Sequence, residues 1–285
     1  MVLAQILLNG ILLGGLYGLM ALGMALVWGV LNIVNLSHGA LIMLGGYAVY
    51  FMFKLAGIDP FLALPLAMGV LFAFGYLLQR YLLNLVVRSK MINTLLITFG
   101  LDVVITYLAQ LAFTADFRAI NPPYAGANFP LFGLTVPIVR LAAFGVALGL
   151  AAGLWFVLNR MRLGRAIRAT AQNLVAARLY GVNPRVLYAV TFGIGAALAG
   201  AAGGLYGMVS DLTPYIGASL TAKSFVIAII GGLSNPFYVI LGGICVGEAE
   251  SLTALYVGPT YSDVISFGLL VVVLVLRPNR SLRVS

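Results

Sequence analysis

Lys223, Glu248 and Glu250 stand in stretches otherwise too apolar for charge. A charge at the centre of a bilayer costs about 2.5–3.5 kcal/mol even on a permissive insertion scale, so such groups need partners. Lys223 lies twelve residues before Asn235 in the turn GGLSNP, and Glu248 lies thirteen after it. An antiparallel hairpin would bring them to similar depth. Glu248 and Glu250 are two apart and point to different faces of a helix. A structural ion pair of Lys223 with one of the two carboxylates is expected.

Asp102 falls about eleven residues, roughly 16 Å, into another apolar run. With Asn93, Thr94 and Thr98 it is a candidate to line a pathway; the alternative is a cap on a helix break after Gly100. His38, the single histidine, follows Asn35 and Ser37. With no second histidine and no nearby cysteine, a metal site is not expected. The choice for Asn35, Ser37 and His38 lies between substrate contact and a turn-forming cluster at a helix start. Cys245 is the only cysteine, which excludes an intrachain disulfide. The ionisable residues are sparse and scattered among separate apolar runs, so no catalytic residues are assigned and an enzyme is not expected.

Gly217 to Ser224 reads GASLTAKS, a phosphate loop with Ala222 in place of its second glycine. Such a loop also needs a preceding strand, and here it is embedded in apolar sequence. No cofactor is expected on this chain, and any ATP must act through another subunit.

The segment Arg160–Arg185 carries six of the sixteen Lys and Arg residues and no Asp or Glu. Leu163, Ile167, Ala171 and Leu174 form an apolar stripe at helical spacing, and Gly164 and Gly181 punctuate its ends. One or two short helices lying on the membrane face or in a partner's groove are expected. Contact with lipid headgroups alone is the other reading. The use of Arg without Lys favours geometrically defined contacts with a protein.

The elements that hold these residues follow from composition. Only 8% of residues are charged and 62% are hydrophobic, against about 25% charged in a soluble domain. Apolar runs of the roughly 20 residues needed to cross a bilayer recur along the chain, without the alternation of barrel strands. An all-α polytopic membrane protein follows, one domain over 1–285, in contact with lipid and not with nucleic acid. No charged n-region opens the chain, so the first run reads as a retained span.

About nine spans are expected, with eight to ten possible: 4–31, 36–53, 60–87, 91–114, 137–158, 184–209, 218–230, 237–255 and 261–276. The seventh is short enough to be partly inserted. Gly10, Gly14 and Gly18 have the spacing that lets a neighbouring helix approach closely. Asn183 and Pro184 make an N-cap and first helical position. Twelve cations fall on one side: Arg80, Arg88, Lys90, the six arginines, Arg277, Arg280 and Arg283. Lys54, Arg118 and Arg140 fall on the other, with Asp59, Asp116, Asp211 and Asp263. The positive-inside rule makes the first side cytoplasmic, with the N-terminus outside and the C-terminus inside. A faint parallel echo relates Leu36-Ser37 and Leu44-Gly45-Gly46 to Leu233-Ser234 and Leu241-Gly242-Gly243.

Three motifs, LNIVNLSHGALIMLGGY, GRAIRATAQNLVAARLYGVN and IGASLTAKSFVIAIIGGLSNPFYVILGG, resemble the permease subunits of branched-chain amino-acid ABC importers. The similarity spans nearly the whole chain and is to the shorter of that system's two permeases. It implies a second permease, identical or homologous, two cytoplasmic ATPase subunits that carry ATP and Mg, and an extracytoplasmic binding protein. It also implies that Gly164 to Gly181 couples the permease to the ATPases, with Gly164, Arg165, Arg168, Ala169, Ala177, Arg178 and Gly181 in the coupling pattern. Hydrophobic amino acids are the expected cargo and the bacterial inner membrane the expected location. Urea or short amides are the alternative within the family; a self-contained secondary transporter or channel is the alternative outside it.

Overall fold

The computed structural model describes residues 2–87, 91–131, 133–233 and 235–276. Arg88, Lys90, Ser234, Arg277, Arg280 and Arg283 lie outside them, as does the side chain of Asp263. The helices are α1 (Val2–Leu31), α2 (His38–Ala56), α3 (Pro60–Tyr81), α4 (Met91–Phe113), α5 (Ile138–Arg160), α6 (Arg162–Gln172), α7 (Leu174–Leu179), α8 (Pro184–Val209), α9 (Gly217–Gly231), α10 (Pro236–Tyr256) and α11 (Ser262–Leu276). Among the described residues eight segments are long and apolar enough to cross a membrane; α11, at 15 residues, falls short of that length.

The helix starts are written in the sequence. Asp59, Asn173, Asn183 and Asn235 each accept a hydrogen bond from a first-turn N–H of α3, α7, α8 and α10, and Pro60, Pro184 and Pro236 occupy first positions. These side chains satisfy N–H groups that have no partner inside the helix.

Two helices, α8 and α1 beyond its first turns, run through the centre and are mostly buried. They cross where Gly23 meets the Gly195 carbonyl. Both are surrounded by protein because their sequences are rich in small residues on several faces. At Gly14 an added Cβ would sit 2.5 Å from Ile244 Cα, so the α1 glycines are what let α10 pack against it, antiparallel. In the same way α8 packs antiparallel on α3, with Gly75 against Ala196. Helices α4 and α11 lie outside, with Leu96, Leu111, Val271 and Val275 exposed. Such faces suit lipid.

One end of the bundle carries Arg160–Arg185 and is called the arginine end. The opposite end carries the one sheet among the described residues, a hairpin of β1 (Asn128–Leu131) and β2 (Leu134–Pro137), paired Asn128↔Pro137 through Leu131↔Leu134. The long polar connection thus contains a hairpin that the expectation of a purely helical chain missed. Its edge is covered by Gln5, which bonds both the N–H and the carbonyl of Thr135 at 2.8 and 2.7 Å.

The chain between α1 and α2 is not a turn at the end of the bundle. Asn32 bends at φ 54° and is exposed, but Ile33, Val34, Asn35, Ser37 and His38 are buried. The chain folds back until His38 lies beside Met20, eleven residues before the end of α1, roughly 16 Å inside at 1.5 Å per residue. Helix α2 therefore begins in the middle of the bundle. The segment after α8 does the same: Leu212 is buried against Gly207 and Gly46, and α9 begins at Gly217 beside Gly39. One plan occurs twice in opposite senses, a long central helix followed by a return and a half-inserted helix, although the second return buries only Leu212 and Pro214 and leaves Asp211 and Tyr215 exposed. The faint echo between 36–46 and 233–243 does not mark it, since the positional counterpart of α2 is α9 and not α10.

Candidate functional site

The arginine segment is an ordered pair of helices. Gly164 is pressed against the last turn of α5, where a Cβ would stand 2.2 Å from the Val157 carbonyl oxygen. Arg168 closes the same joint by donating to the Leu158 carbonyl and to Asn159 Oδ1. Asn173 caps α7, accepting from the N–H groups of Val175 and Ala176 at 3.0 Å. Gly181 stands at φ +82°, which only glycine adopts without strain, and ends α7. Ala177 is buried beneath α7, while Ala169 is exposed.

The apolar stripe proves to face inward. Ile167 is fully buried, and Leu163 and Leu174 are partly buried against the bundle's own core. The stripe therefore anchors α6 to its own chain and is not a surface for lipid or a partner. All six arginines are exposed, including Arg165 and Arg178. Beside them Leu179 and Tyr180 are 83% and 90% exposed, and Val175 is exposed as well. Exposed apolar side chains next to an exposed arginine, Arg178, suit an interface anchor.

Five of the pathway candidates converge on the buried return between α1 and α2. Asn35 Oδ1 accepts from Ser37 N and Oγ at 3.1 and 2.7 Å, and His38 Nε2 meets the Met20 carbonyl at 2.8 Å. Thr98 donates to the Val34 carbonyl, and Thr94 is buried beside it on α4. Thr221 of α9 completes the cluster, accepting from Gly39 N–H at 2.7 Å and donating to the Leu36 carbonyl at 3.1 Å. The bonds to Ser37 N–H and to the Val34 and Leu36 carbonyls satisfy backbone that no helix satisfies, which irregular chain at membrane depth demands. Asn93 is exposed on the other face of α4 and takes no part. Helix α4 runs unbroken through Gly100, so Asp102 caps nothing; it is half-buried, and its Oδ1 has no hydrogen-bond partner.

Lys223 and Glu250 form a buried ion pair, with Lys223 Nζ at 2.9 Å from Oε1 and 3.1 Å from Oε2. Tyr17 of α1 receives the ammonium on its hydroxyl at 3.3 Å and its ring at 4.4 Å, and Ser266 of α11 donates to Glu250. Four helices are tied at one point. Glu248 points the other way, against Gly10, and its Oε2 has no partner.

Comparison with known proteins is made on this architecture. The family described as "Branched-chain amino acid transport system / permease component" matches residues 6–274. The chain belongs to that family. A high-affinity branched-chain amino acid transport system permease protein, BraD of Pseudomonas aeruginosa, is 32% identical to the permease over 96% of this chain and 94% of its own. LivH of Escherichia coli K12 is 30% identical over the same shares. LivM of the same organism is 28% identical over 93% of this chain and 67% of its own. No solved structure matches the permease.

Sequence reasoning left out Val175, Leu179 and Tyr180 of the permease. The signal was present, since Val175 and Leu179 are four apart and fall off the inward stripe, but only burial tells which of two apolar faces is covered. Thr221 was also missed. It sits inside the broken phosphate loop, and its role depends on a turn 185 residues away.

Proposed function

We propose that the permease is a membrane-spanning subunit of an ATP-driven importer that moves branched-chain amino acids across a bacterial-type inner membrane. The relatives' names supply the cargo, and they do not favour urea or amides. The observation that carries the mechanism is the capped α6–α7 unit with exposed Arg165, Arg178, Leu179 and Tyr180 at one end of the bundle. Two ATPase subunits dock there, supplying ATP and Mg, and the arginine end is cytoplasmic. The N-terminus and the hairpin then lie outside, where a binding protein delivers cargo. A second permease of the same family completes the pathway.

Force passes through covalent and packed joints. Closure of the ATPases pushes α6–α7, the Gly164–Arg168 joint carries the displacement into α5, and Asn183 passes it to α8 through the cap at Arg185 N–H. Asp102, half-buried on α4, and the buried cluster around His38 serve as pathway groups.

The test is uptake of radiolabelled L-leucine into vesicles holding the assembled transporter. Arg165→Glu combined with Leu179→Asp should abolish ATP-dependent uptake and ATPase association while the detergent-solubilised chain keeps its melting temperature. Full uptake by the permease alone in ATP-free vesicles would establish the secondary-transporter reading and remove this one.

A further inference from the structure

The return at 210–216 is tied to helix α4 through one residue. Arg118 pairs its backbone with Leu212 in both directions, its N–H donating at 3.0 Å and its carbonyl accepting at 2.7 Å. Leu212 is itself wholly buried, packed against Gly46 and Gly207. The Arg118 side chain then reaches back to α4. Its guanidinium donates to the Phe113 carbonyl, in the last turn of α4, and to Thr114 Oγ1 at 3.3 Å. The same guanidinium lies 5.4 Å from the ring centres of Tyr50 and Phe51 on α2, within the range of a cation–π contact. Thr114 ends α4 at φ 63°, which a β-branched residue adopts only under strain that its surroundings enforce.

Otherwise that half of α4 packs through one narrow face, with Val104, Tyr107, Leu108 and Leu111 exposed. Its apolar contacts, Ile105 and Ala109 with Ala40, Met43 and Tyr47, form a cluster apart from the main core. Phe113 stacks on Tyr47 with ring centres 4.6 Å apart. The packing leaves two polar atoms unsatisfied: Tyr47 Oη, and Asp102 Oδ1 on the same face of α4 as Thr98, Ile105 and Ala109. Buried polar atoms without partners raise the free energy of this closed seam, and parting α4 from the bundle admits water to both. The other half of α4 is anchored, since Thr98 donates to the Val34 carbonyl of the first return.

We propose that Arg118 is a positioning residue for transport, a latch that carries displacement of the 210–216 return to the hairpin end of α4. It holds that end shut against Tyr47 and Phe51. When the return shifts, the guanidinium leaves the α2 rings and α4 tilts away about its anchored half at Thr98. Helix α8 leads into the return, so the latch stands at the far end of the helix that the Asn183 cap ties to the arginine segment. The inference rests on the importer reading for what drives that displacement.

The experiment uses the assembled transporter in lipid membranes, with Cys245→Ser and one reporter, Ala109→Cys, buried in the seam. The rate at which a small thiol reagent modifies the reporter reads how often the seam opens. Arg118→Ala should speed modification about tenfold or more, as the loss of a charge-assisted hydrogen bond requires, and Arg118→Lys should speed it less. A control reporter, Ala147→Cys, fully buried in α5, should stay slow in both variants. Arg118→Ala should also keep ATP hydrolysis while leucine uptake falls, so that more ATP is hydrolysed per leucine. An unchanged rate at 109, equal acceleration at 147, or an unchanged ratio of hydrolysis to uptake would overturn the latch. A second measurement leaves Arg118 intact and pairs Phe51→Cys with Phe113→Cys, where the native ring centres are 5.0 Å apart. Joining the pair with a short reducible crosslinker should stop uptake, and reduction should restore it. Full uptake with the seam joined would equally overturn the proposal. Leucine uptake by the wild-type transporter is measured alongside. Normal uptake with a failed latch test removes only the latch, whereas absent wild-type uptake removes the importer reading.

Discussion

At Lys223 an ammonium group is taken out of water, and its surroundings decide what that costs. Glu250, Tyr17 and Ser266 enclose the pair, so deleting one partner strands the other. Lys223→Leu should destabilise the permease by about 3–5 kcal/mol, read as a lower melting temperature in detergent. Adding Glu250→Leu should restore much of the loss, and adding Glu248→Leu should restore none; equal rescue by both would disprove the assignment. Gly39 offers a second contrast. Its Cβ would stand 1.8 Å from the Gly217 carbonyl oxygen, whereas nothing lies within 4 Å of a Cβ at Gly100. Gly39→Ala should therefore prevent folding to a monodisperse protein, while Gly100→Ala, in an open helix interior, should stabilise by about 0.5–1 kcal/mol.

Among the elements, α6 separates two kinds of arginine that look alike in the sequence. Arg168 is bonded into the end of α5, and Arg165 has no such tie among the described residues. Arg168→Ala should lower the melting temperature and reduce uptake together. Arg165→Glu should reduce uptake and ATPase association with the melting temperature unchanged. Matching thermal losses in both variants would show that the whole segment is structural. Helix α7 has only six residues, too short to persist alone. Asn173→Ala should cost it about 0.5–2 kcal/mol, seen as faster amide exchange confined to 174–180.

For the whole molecule, the two ends of the bundle differ in kind. One bears exposed arginines beside an apolar knob, and the other bears a hairpin over a cavity. In a Cys245→Ser background, Tyr180→Cys in intact cells should resist a membrane-impermeant maleimide and Thr135→Cys should react with it. The reverse pattern would invert the orientation and with it the docking and delivery faces. The glycine-lined crossings of α1 with α10 and of α8 with α3 leave no slack. Movement during transport is therefore expected as rigid displacement of these pairs, with the returns at 32–37 and 210–216 as the places where backbone bends.

Much of this was legible along the chain. The helices that answer to the nine expected spans begin within a few residues of the expected positions, because caps such as Asn183-Pro184 and the length of each apolar run are local properties. The requirement that Lys223 have an acidic partner also followed from sequence, since desolvation of a charge depends little on which neighbour relieves it. That the partner is Glu250, with Tyr17 and Ser266 around it, was decided by helix rotation in the packed bundle. The buried return of 32–37 was likewise invisible. Its backbone is satisfied by Thr98 and Thr221, from α4 and α9, and a linear reading takes any polar break between apolar runs for a surface turn. The arginine segment shows the same division. Its charge and its caps belong to the sequence, whereas tertiary packing alone chose which face of α6 and α7 would be buried and so left Arg165, Leu179 and Tyr180 outside.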